Sequence, residues 1–204
     1  MTEHSTLPLT EVVVFDGFDD LDAIAPLEIL TAAGFPTRVV RPAGHAATVH
    51  SAHGLVMRVD AELGDSPGLV IVPGGGWLDA AAGVRDQCKG QLPDALAALH
   101  AAGTVVASVC TGAFVLGSLG LLEGRPWTTH WEDVEDLAGR LDGAGGGEGW
   151  VRWVDAGEVV TSGGLSSGIA MALHLVDRFA GRDLALRTAR QIEYDWDPEA
   201  GRRT

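Results

Sequence analysis

The stretch Thr104–Leu122, T-V-V-A-S-V-C-T-G-A-F-V-L-G-S-L-G-L-L, joins a predicted strand directly to a predicted helix. The β-branched run of Val105, Val106 and Val109 is typical of a buried strand. The apolar residues that follow recur at helical spacing, and Cys110 lies at the join. A side chain on such a sharp strand-to-helix turn projects above the sheet edge, towards the amides of the next helical turn.

The surroundings of Cys110 match the turn that presents the nucleophile in Gly-x-Ser-x-Gly hydrolases, which have small residues two before and two after the nucleophile. Here Ser108 and Gly112 occupy those positions. Amides at a helix N-terminus also stabilise a thiolate, so we expect them to lower the pKa of the thiol. The alternative is a buried, inert cysteine, because free cysteine packs well in protein cores.

The composition predicts one globular domain. The chain has 204 residues, of which 46% are hydrophobic and 28 are glycine, enough for one sizeable core. We expect a single domain over residues 10–196, a flexible tail over 1–9 and a second tail over 197–204. The formal net charge of −14 argues against binding to nucleic acids or to anionic membranes.

The N-terminus lacks the basic and apolar regions of a signal peptide, and no apolar run is long enough to span a membrane. We therefore expect a cytoplasmic protein. Its two cysteines, Cys88 and Cys110, form no disulfide framework and should be free thiols in a reducing compartment.

Strands and helices are predicted to alternate along the chain, which is typical of an α/β domain with a mainly parallel sheet. The predicted strands cover residues 11–15, 37–41, 69–72, 105–109 and 126–130, with hairpins over 48–59 and 150–162. The predicted helices cover residues 21–33, 77–82, 84–102 with a break at Pro93, 131–138, 168–179, and 184–194 with Asp183 as its cap. A further helical run after Cys110 contains Ala113, Phe114, Leu116 and Leu119. Pro26 is tolerable only near the first turn of its helix, so we expect that helix to begin late in the 19–22 region.

Three turns are predicted at the carboxyl ends of parallel strands, where active sites of such sheets lie. They cover residues 16–22, 74–76 and 110–111 and carry a carboxylate, glycine amides and a thiol. These groups suffice for nucleophilic catalysis, with amides of Thr111 and one of Gly74–Gly76 as donors to a developing anion. The three glycines would serve equally in a tight strand-to-helix turn.

Four aspartates in the first turn are candidates for the acid: Asp16, Asp19, Asp20 and Asp22. Asp19 or Asp20 would serve as an N-cap. Asp22 lies between Leu21 and Ile24, two residues expected to face the core, and is the one we expect to point inward. Alternatively, it only complements the helix dipole.

His130, in T-T-H-W, follows a predicted strand and is a candidate partner for the thiol, with Glu132 as the group that orients it or caps the next helix. The other histidines lack the spacing of metal ligands, and no phosphate-binding loop is present. We therefore expect neither a metal nor a cofactor. Cys88 lies among polar residues and is interpreted as a bystander.

Taken together, these motifs resemble the DJ-1/PfpI (ThiJ) superfamily over residues 11–192. The similar segments are L-D-A-I-A-P-L-E-I-L, V-I-V-P-G-G-G, A-S-V-C-T-G-A-F-V-L-G-S-L-G-L-L-E-G-R-P-W-T-T-H-W and V-T-S-G-G-L-S-S-G-I-A-M-A-L. Within the superfamily, the Leu-Asp, V-C-T-G and T-T-H-W patterns are most similar to isonitrile (isocyanide) hydratases and to the amidotransferase-like domains of AraC-type regulators.

The resemblance implies a flavodoxin-like sandwich, a homodimer and a small-molecule substrate. It places the family's nucleophile at Cys110, the hydratase acid at Asp22 and the hydratase threonine at Thr111. The glycine amide of the family corresponds to Gly75, next to Gly76, and His130 stands where DJ-1-like members carry a histidine. The pocket is expected to depend on Trp77 and on the 163–167 loop with Leu165.

The resulting hypothesis is hydration of an isocyanide, through a thioimidate on Cys110, to an N-substituted formamide. The alternatives are a non-enzymatic sensor of a small molecule or of oxidation, and a glyoxalase or amidase of the same superfamily that uses His130 as a base. Since the sequence stops at Thr204, soon after the last predicted helix, we expect no helix-turn-helix module.

Overall fold

The computed structural model describes residues 6–77, 82–142 and 146–204. Its described strands are β1 (Thr10–Val13), β2 (Thr37–Val40), β3 (Thr48–His50), β4 (Val56–Arg58), β5 (Leu69–Val72), β6 (Val105–Val109), β7 (Trp153–Asp155), β8 (Val159–Ser162) and β9 (Arg202–Arg203). Seven of them form one sheet in the order β2-β1-β5-β6-β8-β7-β9, and β3 and β4 form a separate hairpin. All pairings in the large sheet are parallel except that of β7 with β8.

The described helices are α1 (Asp20–Ala32), α2 (Val84–Gln87), α3 (Gln91–Ala101), α4 (Ala113–Ser118), α5 (Val134–Ala138), α6 (Ser167–Ala180) and α7 (Arg182–Gln191). Short 3₁₀ turns over Cys110–Gly112 and Trp131–Asp133 precede α4 and α5. Helix α6 packs on α1 and α7, whereas α4 packs on α2 and α3. Together with the sheet, these helices form the α/β sandwich expected from the sequence.

The central strands are short apolar runs because both of their faces are covered. Every residue of β1, β5, β6 and β8 is buried, as is typical of parallel strands between two helical layers. In the described part of the chain, no helix is long and apolar enough to cross a membrane.

Helix α1 begins at Asp20, inside the expected region, but Pro26 lies in its second turn rather than its first. The face it buries also differs from the prediction, because Leu21 and Ile24 are 40% and 36% exposed while Asp22 is fully buried. The buried face instead carries Asp22, Ala23, Ala25, Pro26, Ile29 and Leu30, and Pro26 lies near Gly168 of α6, where a β-carbon would be 3.9 Å from the proline ring.

Three other predicted elements need correction. The predicted helix 84–102 is interrupted after Gln87, and Gly90, with a positive φ of 93°, is the N-cap of α3. Pro93 therefore lies in the first turn of α3 and not at the break. The segment 126–130 is not a strand of the sheet. The Thr128 N–H donates to the Thr161 hydroxyl at 2.9 Å instead of joining a ladder. Helix α7 begins at Arg182, so Asp183 lies in its first turn and is not its cap.

Both predicted hairpins form, as β3–β4 and β7–β8. The segment 197–204, predicted to be a tail, contains a strand. Arg202–Arg203 pairs with β7 and forms the edge strand β9. The predicted helix 77–82, the glycine-rich loop 143–149 and the N-terminal tail lie partly outside the described residues.

Candidate active site

Cys110 lies on a strained turn between β6 and α4. Its φ of 55° is in the left-handed region, which a non-glycine residue rarely adopts and which is common at functional sites. Its backbone is held on both sides: its N–H donates to the Gly163 carbonyl at 3.2 Å, and its carbonyl accepts from the Thr129 hydroxyl at 2.8 Å. The side chain is almost fully buried.

The turn is tight enough to require glycine two residues later. A β-carbon on Gly112 would lie 2.3 Å from the Val72 carbonyl oxygen and 2.8 Å from that of Pro73. Only a glycine lets the start of this helical segment pack against the end of β5. The small-x-Cys-x-Gly pattern of the sequence therefore corresponds to a real steric constraint.

Asp22 is brought to the same point by the first turn of α1, whose N-cap is Asp19. Its Oδ2 accepts a hydrogen bond from the Gly74 N–H at 3.1 Å. Its other oxygen, Oδ1, is also buried and has no hydrogen-bond donor among the described residues. The Cys110 thiol and the Leu165 amide interact with the carboxyl group as well.

Gly74 is the position where the three predicted turns meet. A β-carbon placed there would lie 2.7 Å from Asp22 Oδ2, 2.8 Å from the Cys110 β-carbon and 2.8 Å from the Thr111 hydroxyl. The acid, the thiol and the threonine, which are far apart in the sequence, thus surround a single glycine. The structure brings together the groups that the sequence placed on separate strand ends.

Burial shapes the electrostatics of the acid and the thiol. It raises the pKa of Asp22 to about 8, with a smaller contribution from the charge of Asp19, against the lowering effect of the Gly74 N–H. Burial also raises the pKa of the Cys110 thiol well above its ordinary value, and the neighbouring Asp22 carboxylate raises it further.

The expectation that helix amides lower the pKa of the thiol is therefore corrected. The Thr111 N–H does lower the pKa of Cys110, but the loss of solvation and the charge of Asp22 outweigh it. Burial therefore favours the protonated forms of both the acid and the thiol.

The predicted donors Gly75 and Gly76 already have acceptors within the protein. The Gly75 N–H donates to the Thr111 hydroxyl at 3.0 Å, and this hydroxyl donates to the Gly75 carbonyl at 3.0 Å. The Gly76 N–H donates to the Gly17 carbonyl at 3.2 Å. Neither amide is free in this conformation to hold a developing anion, so that part of the prediction is wrong. The other predicted donor, the Thr111 N–H, interacts with the sulfur.

His130 is partly buried and packs against Gly164, where a β-carbon would lie 2.3 Å from its ring. Its Nδ1 is 3.5 Å from Asp133 and 3.9 Å from Glu132. The nearer partner is thus Asp133, not the predicted Glu132. The structure gives no hydrogen bond between the ring and the Cys110 thiol within the described ranges.

A cavity of about 370 Å³ is lined in part by Thr129 and Gly163, the two residues that hold the Cys110 backbone. Its walls are the segments that lead into α5, β7 and α6: Thr129, His130, Trp131, Trp150, Val151, Arg152 and Gly163–Ser167. Leu165 and its loop belong to it, as expected, whereas Trp77 stacks on Phe114 at 3.9 Å and borders a separate cavity of about 180 Å³ next to Cys88.

Sequence reasoning missed Thr129, Trp150 and Arg152 as members of this region. Thr129 belongs to the T-T-H-W motif and its hydroxyl holds the Cys110 carbonyl, so the motif contained a usable signal. Trp150 and Arg152 follow a glycine-rich loop, and no sequence pattern marked them as part of a site. Across the part of the chain that the structure describes, no group of His, Cys, Asp and Glu is placed to hold a metal ion.

Sequence comparisons relate this chain to known proteins. The DJ-1/PfpI family model matches residues 11–178. An isonitrile hydratase of Pseudomonas putida is 35% identical over 148 residues, which are 72% of this chain and 61% of that protein. An uncharacterised protein of Streptomyces lividans is 38% identical over 134 residues, covering 63% of this chain and 92% of that protein. The chain thus spans about three fifths of the length of the hydratase.

Solved structures show the same fold. A ThiJ/PfpI family protein of Pseudomonas syringae has a TM-score of 0.80 at 23% identity, covering 95% of this chain and 77% of that one. DJ-1β of Drosophila melanogaster has a TM-score of 0.79 at 19% identity, covering 93% of this chain and all of the other. Since the family model covers most of the chain and its motifs surround one buried thiol, this protein belongs to the DJ-1/PfpI family.

Proposed function

We propose that this protein is an isonitrile-hydratase-like enzyme that adds water to an isocyanide to give an N-substituted formamide. The observation that carries the proposal is the buried pair of the Cys110 thiol and the Asp22 carboxyl, with the pKa of Asp22 raised to about 8. An acid that keeps its proton at neutral pH, next to a nucleophile, suits a reaction that must protonate carbon.

In the first step, a sulfur lone pair of Cys110 forms a bond to the terminal carbon of R–N≡C. The thiol proton passes to Asp22 while the proton of Asp22 passes to the same carbon, giving the thioimidate R–N=CH–S–Cys. No net charge is created, which favours this step in a site with little water. The Thr111 N–H stabilises the negative charge that develops on sulfur.

In the second step, water adds to the thioimidate carbon. One water proton reaches the nitrogen through Asp22, and the hydroxyl stays on carbon. The carbon–sulfur bond then breaks, with its electron pair going to sulfur and the hydroxyl proton restoring the thiol. The product is R–NH–CHO, and the Cys110–Asp22 pair regains its starting protonation.

One further fact supports this proposal over its alternatives. The isonitrile hydratase of Pseudomonas putida is similar over 72% of the chain. The homodimer, the small-molecule substrate and the cytoplasmic location stay predictions.

The test measures formamide produced from cyclohexyl isocyanide. The wild-type protein is expected to form it, and Cys110→Ala to reduce the rate to the uncatalysed background because the covalent intermediate is lost. Cys88→Ala is the matched control and should retain activity. Formamide production that survives Cys110→Ala would overturn the mechanism.

His130→Ala separates the hydratase from a glyoxalase or amidase in the same assay. A general base contributes about 10²- to 10⁴-fold to a rate. We expect this variant to lose less than about tenfold, since Asp22 and not His130 handles the proton. A loss of a hundredfold or more would favour the alternative that uses the histidine.

A further inference from the structure

The cavity beside Cys110 is joined to the reacting groups through its own wall. Gly163 accepts the Cys110 N–H, and Thr129 donates to the Cys110 carbonyl. The Leu165 amide interacts with the Asp22 carboxyl. All three residues line the cavity, so its wall contacts both the thiol-bearing residue and the acid.

One wall of this cavity is an exposed aromatic surface. Trp150 is 84% exposed, Trp131 is 54% exposed, and their rings stack at 5.5 Å with an angle of 17°. Trp150 also adopts a positive φ of 63°, which is unfavourable for a bulky residue. A strained, exposed tryptophan at a cavity mouth is typical of a surface that binds an apolar ligand.

The same cavity contains a cation without a carboxylate partner among the residues the structure describes. Arg152 donates to the hydroxyls of Ser166 and Ser167 at 3.0 and 3.4 Å. By contrast, Arg140 and Arg178 pair with Asp136 and Asp155. In a chain with a net charge of −14, carboxylates are abundant, so an arginine that faces a cavity without one is available for an anion.

Arginine and two hydroxyls are a suitable set for a carboxylate. The guanidinium offers a planar pair of N–H donors that matches two carboxylate oxygens. Both serine oxygens accept from Arg152, so each hydroxyl keeps a hydrogen that it can donate. The carboxylates of Glu132 and Asp133, which also border this region, are directed at His130.

We propose that this cavity binds isonitriles carrying a carboxylate on a cyclic, apolar body, with Arg152 and the serine hydroxyls at the carboxylate and the Trp131–Trp150 pair along the body. This inference rests on the proposed function for the isocyanide group. It adds the substrate class, namely anionic isonitriles of the size of an aromatic amino-acid derivative.

The experiment compares binding of two matched compounds, potassium 2-isocyano-3-phenylpropanoate and its methyl ester, by calorimetry. The protein carries Cys110→Ala, so that binding is measured without turnover. We expect the carboxylate to bind about tenfold or more tightly than the ester, as for a hydrogen-bonded charged pair. Adding Arg152→Gln should abolish that preference.

Arg187→Gln is the matched control, because it removes the same charge from an exposed position on α7 outside the cavity. It should leave the preference intact. Trp150→Ala should weaken both compounds to a similar extent. Equal affinities for the carboxylate and the ester, or a preference that survives Arg152→Gln, would overturn the inference.

Wild-type turnover of the same two compounds separates this inference from the proposed function. If neither these compounds nor cyclohexyl isocyanide is converted to a formamide, the hydratase proposal fails, whereas the binding measurements still decide the role of Arg152. If both are converted at equal efficiency and bind equally, the hydratase proposal stands and the substrate class is wrong.

Discussion

At the scale of single residues, Asp22 is kept in an environment that works against its ionisation. It is fully buried and accepts a hydrogen bond from the Gly74 N–H. Burial raises its pKa to about 8. A carboxyl group in such a place lowers the stability of the folded protein above its unfolded pKa. We interpret this as a stability cost of holding an acid next to the thiol.

Asp22→Asn tests that interpretation through stability. The folded pKa, about 8, lies above the unfolded value of 3.8, so the stabilising contribution is present below pH about 4 and is lost as pH rises through 8. The free energy of unfolding of the wild type, relative to Asp22→Asn, should therefore fall between pH 5 and pH 8, by about 1.4 kcal/mol for each unit at most.

Chemical denaturation at several pH values measures this difference. Asp142→Asn, which makes the same substitution at an exposed position, controls for the loss of one carboxylate. A constant difference between wild type and Asp22→Asn across this range would show that the acid is not held protonated. Asp22→Asn should at the same time lose formamide production.

At the scale of elements, the site depends on how the turn after β6 approaches the end of β5. The Cys110–Gly112 turn places a backbone segment directly against the carbonyls of Val72 and Pro73. This close approach also brings Gly74 to Cys110 and Asp22. The geometry of the thiol is therefore set by packing of two neighbouring strand ends, not by the turn alone.

Gly112→Ala tests this packing. Its β-carbon would lie 2.3 Å from the Val72 oxygen, and relief requires backbone movement because the clash involves no flexible side chain. We expect a loss of about 1–3 kcal/mol in the free energy of unfolding, the usual range for overpacking, together with reduced formamide production. Thermal unfolding and the same activity assay measure both effects.

Gly149→Ala is its control, because a β-carbon there meets nothing within 4 Å. It should change stability by less than about 0.5 kcal/mol, as for an ordinary surface substitution. If Gly112→Ala proved as stable and as active as Gly149→Ala, the turn would tolerate a β-carbon and the steric account of the motif would be wrong.

The element scale also shows where sequence patterns were sufficient. Central strands such as Leu69–Val72 were predicted closely, because continuous burial demands a continuous apolar run. The 126–130 segment was mistaken for a strand, because its apolar and β-branched residues are buried without joining the sheet. Its N–H at Thr128 is satisfied by a side chain 33 residues away, which no local pattern reveals.

At the scale of the whole molecule, the C-terminal segment closes one edge of the sheet. Strand β9 pairs with β7, and Arg203 approaches His174 and Asp177 at 3.3 and 3.6 Å. The buried His174 ring contacts Asp155 of β7 at 2.7 Å and stacks on Trp153. The edge strand is thus tied to α6 as well as to the sheet.

Removal of residues 202–204 tests the contribution of this closure. We expect a loss of about 2 kcal/mol in the free energy of unfolding, because several hydrogen bonds are lost that each contribute about 1 kcal/mol. Removal of Thr204 alone, whose N–H donates to the Asp155 carbonyl at 3.1 Å, should cost less. An unchanged midpoint of thermal unfolding in the longer truncation would show that β9 adds no stability.

The sequence by itself determined the α/β alternation, the strand-to-helix turn at Cys110 and the chemical types that meet there. Those features follow from local rules, since burial, helix periodicity and a glycine two residues after the cysteine are all expressed within a few positions. Tertiary structure decided that the amides of Gly75 and Gly76 are already bonded, that burial raises the pKa of the thiol, and that Arg152 and Trp150 border the site. These properties depend on groups brought together from distant parts of the chain, because solvation and hydrogen-bond partners are set by what packs around an atom.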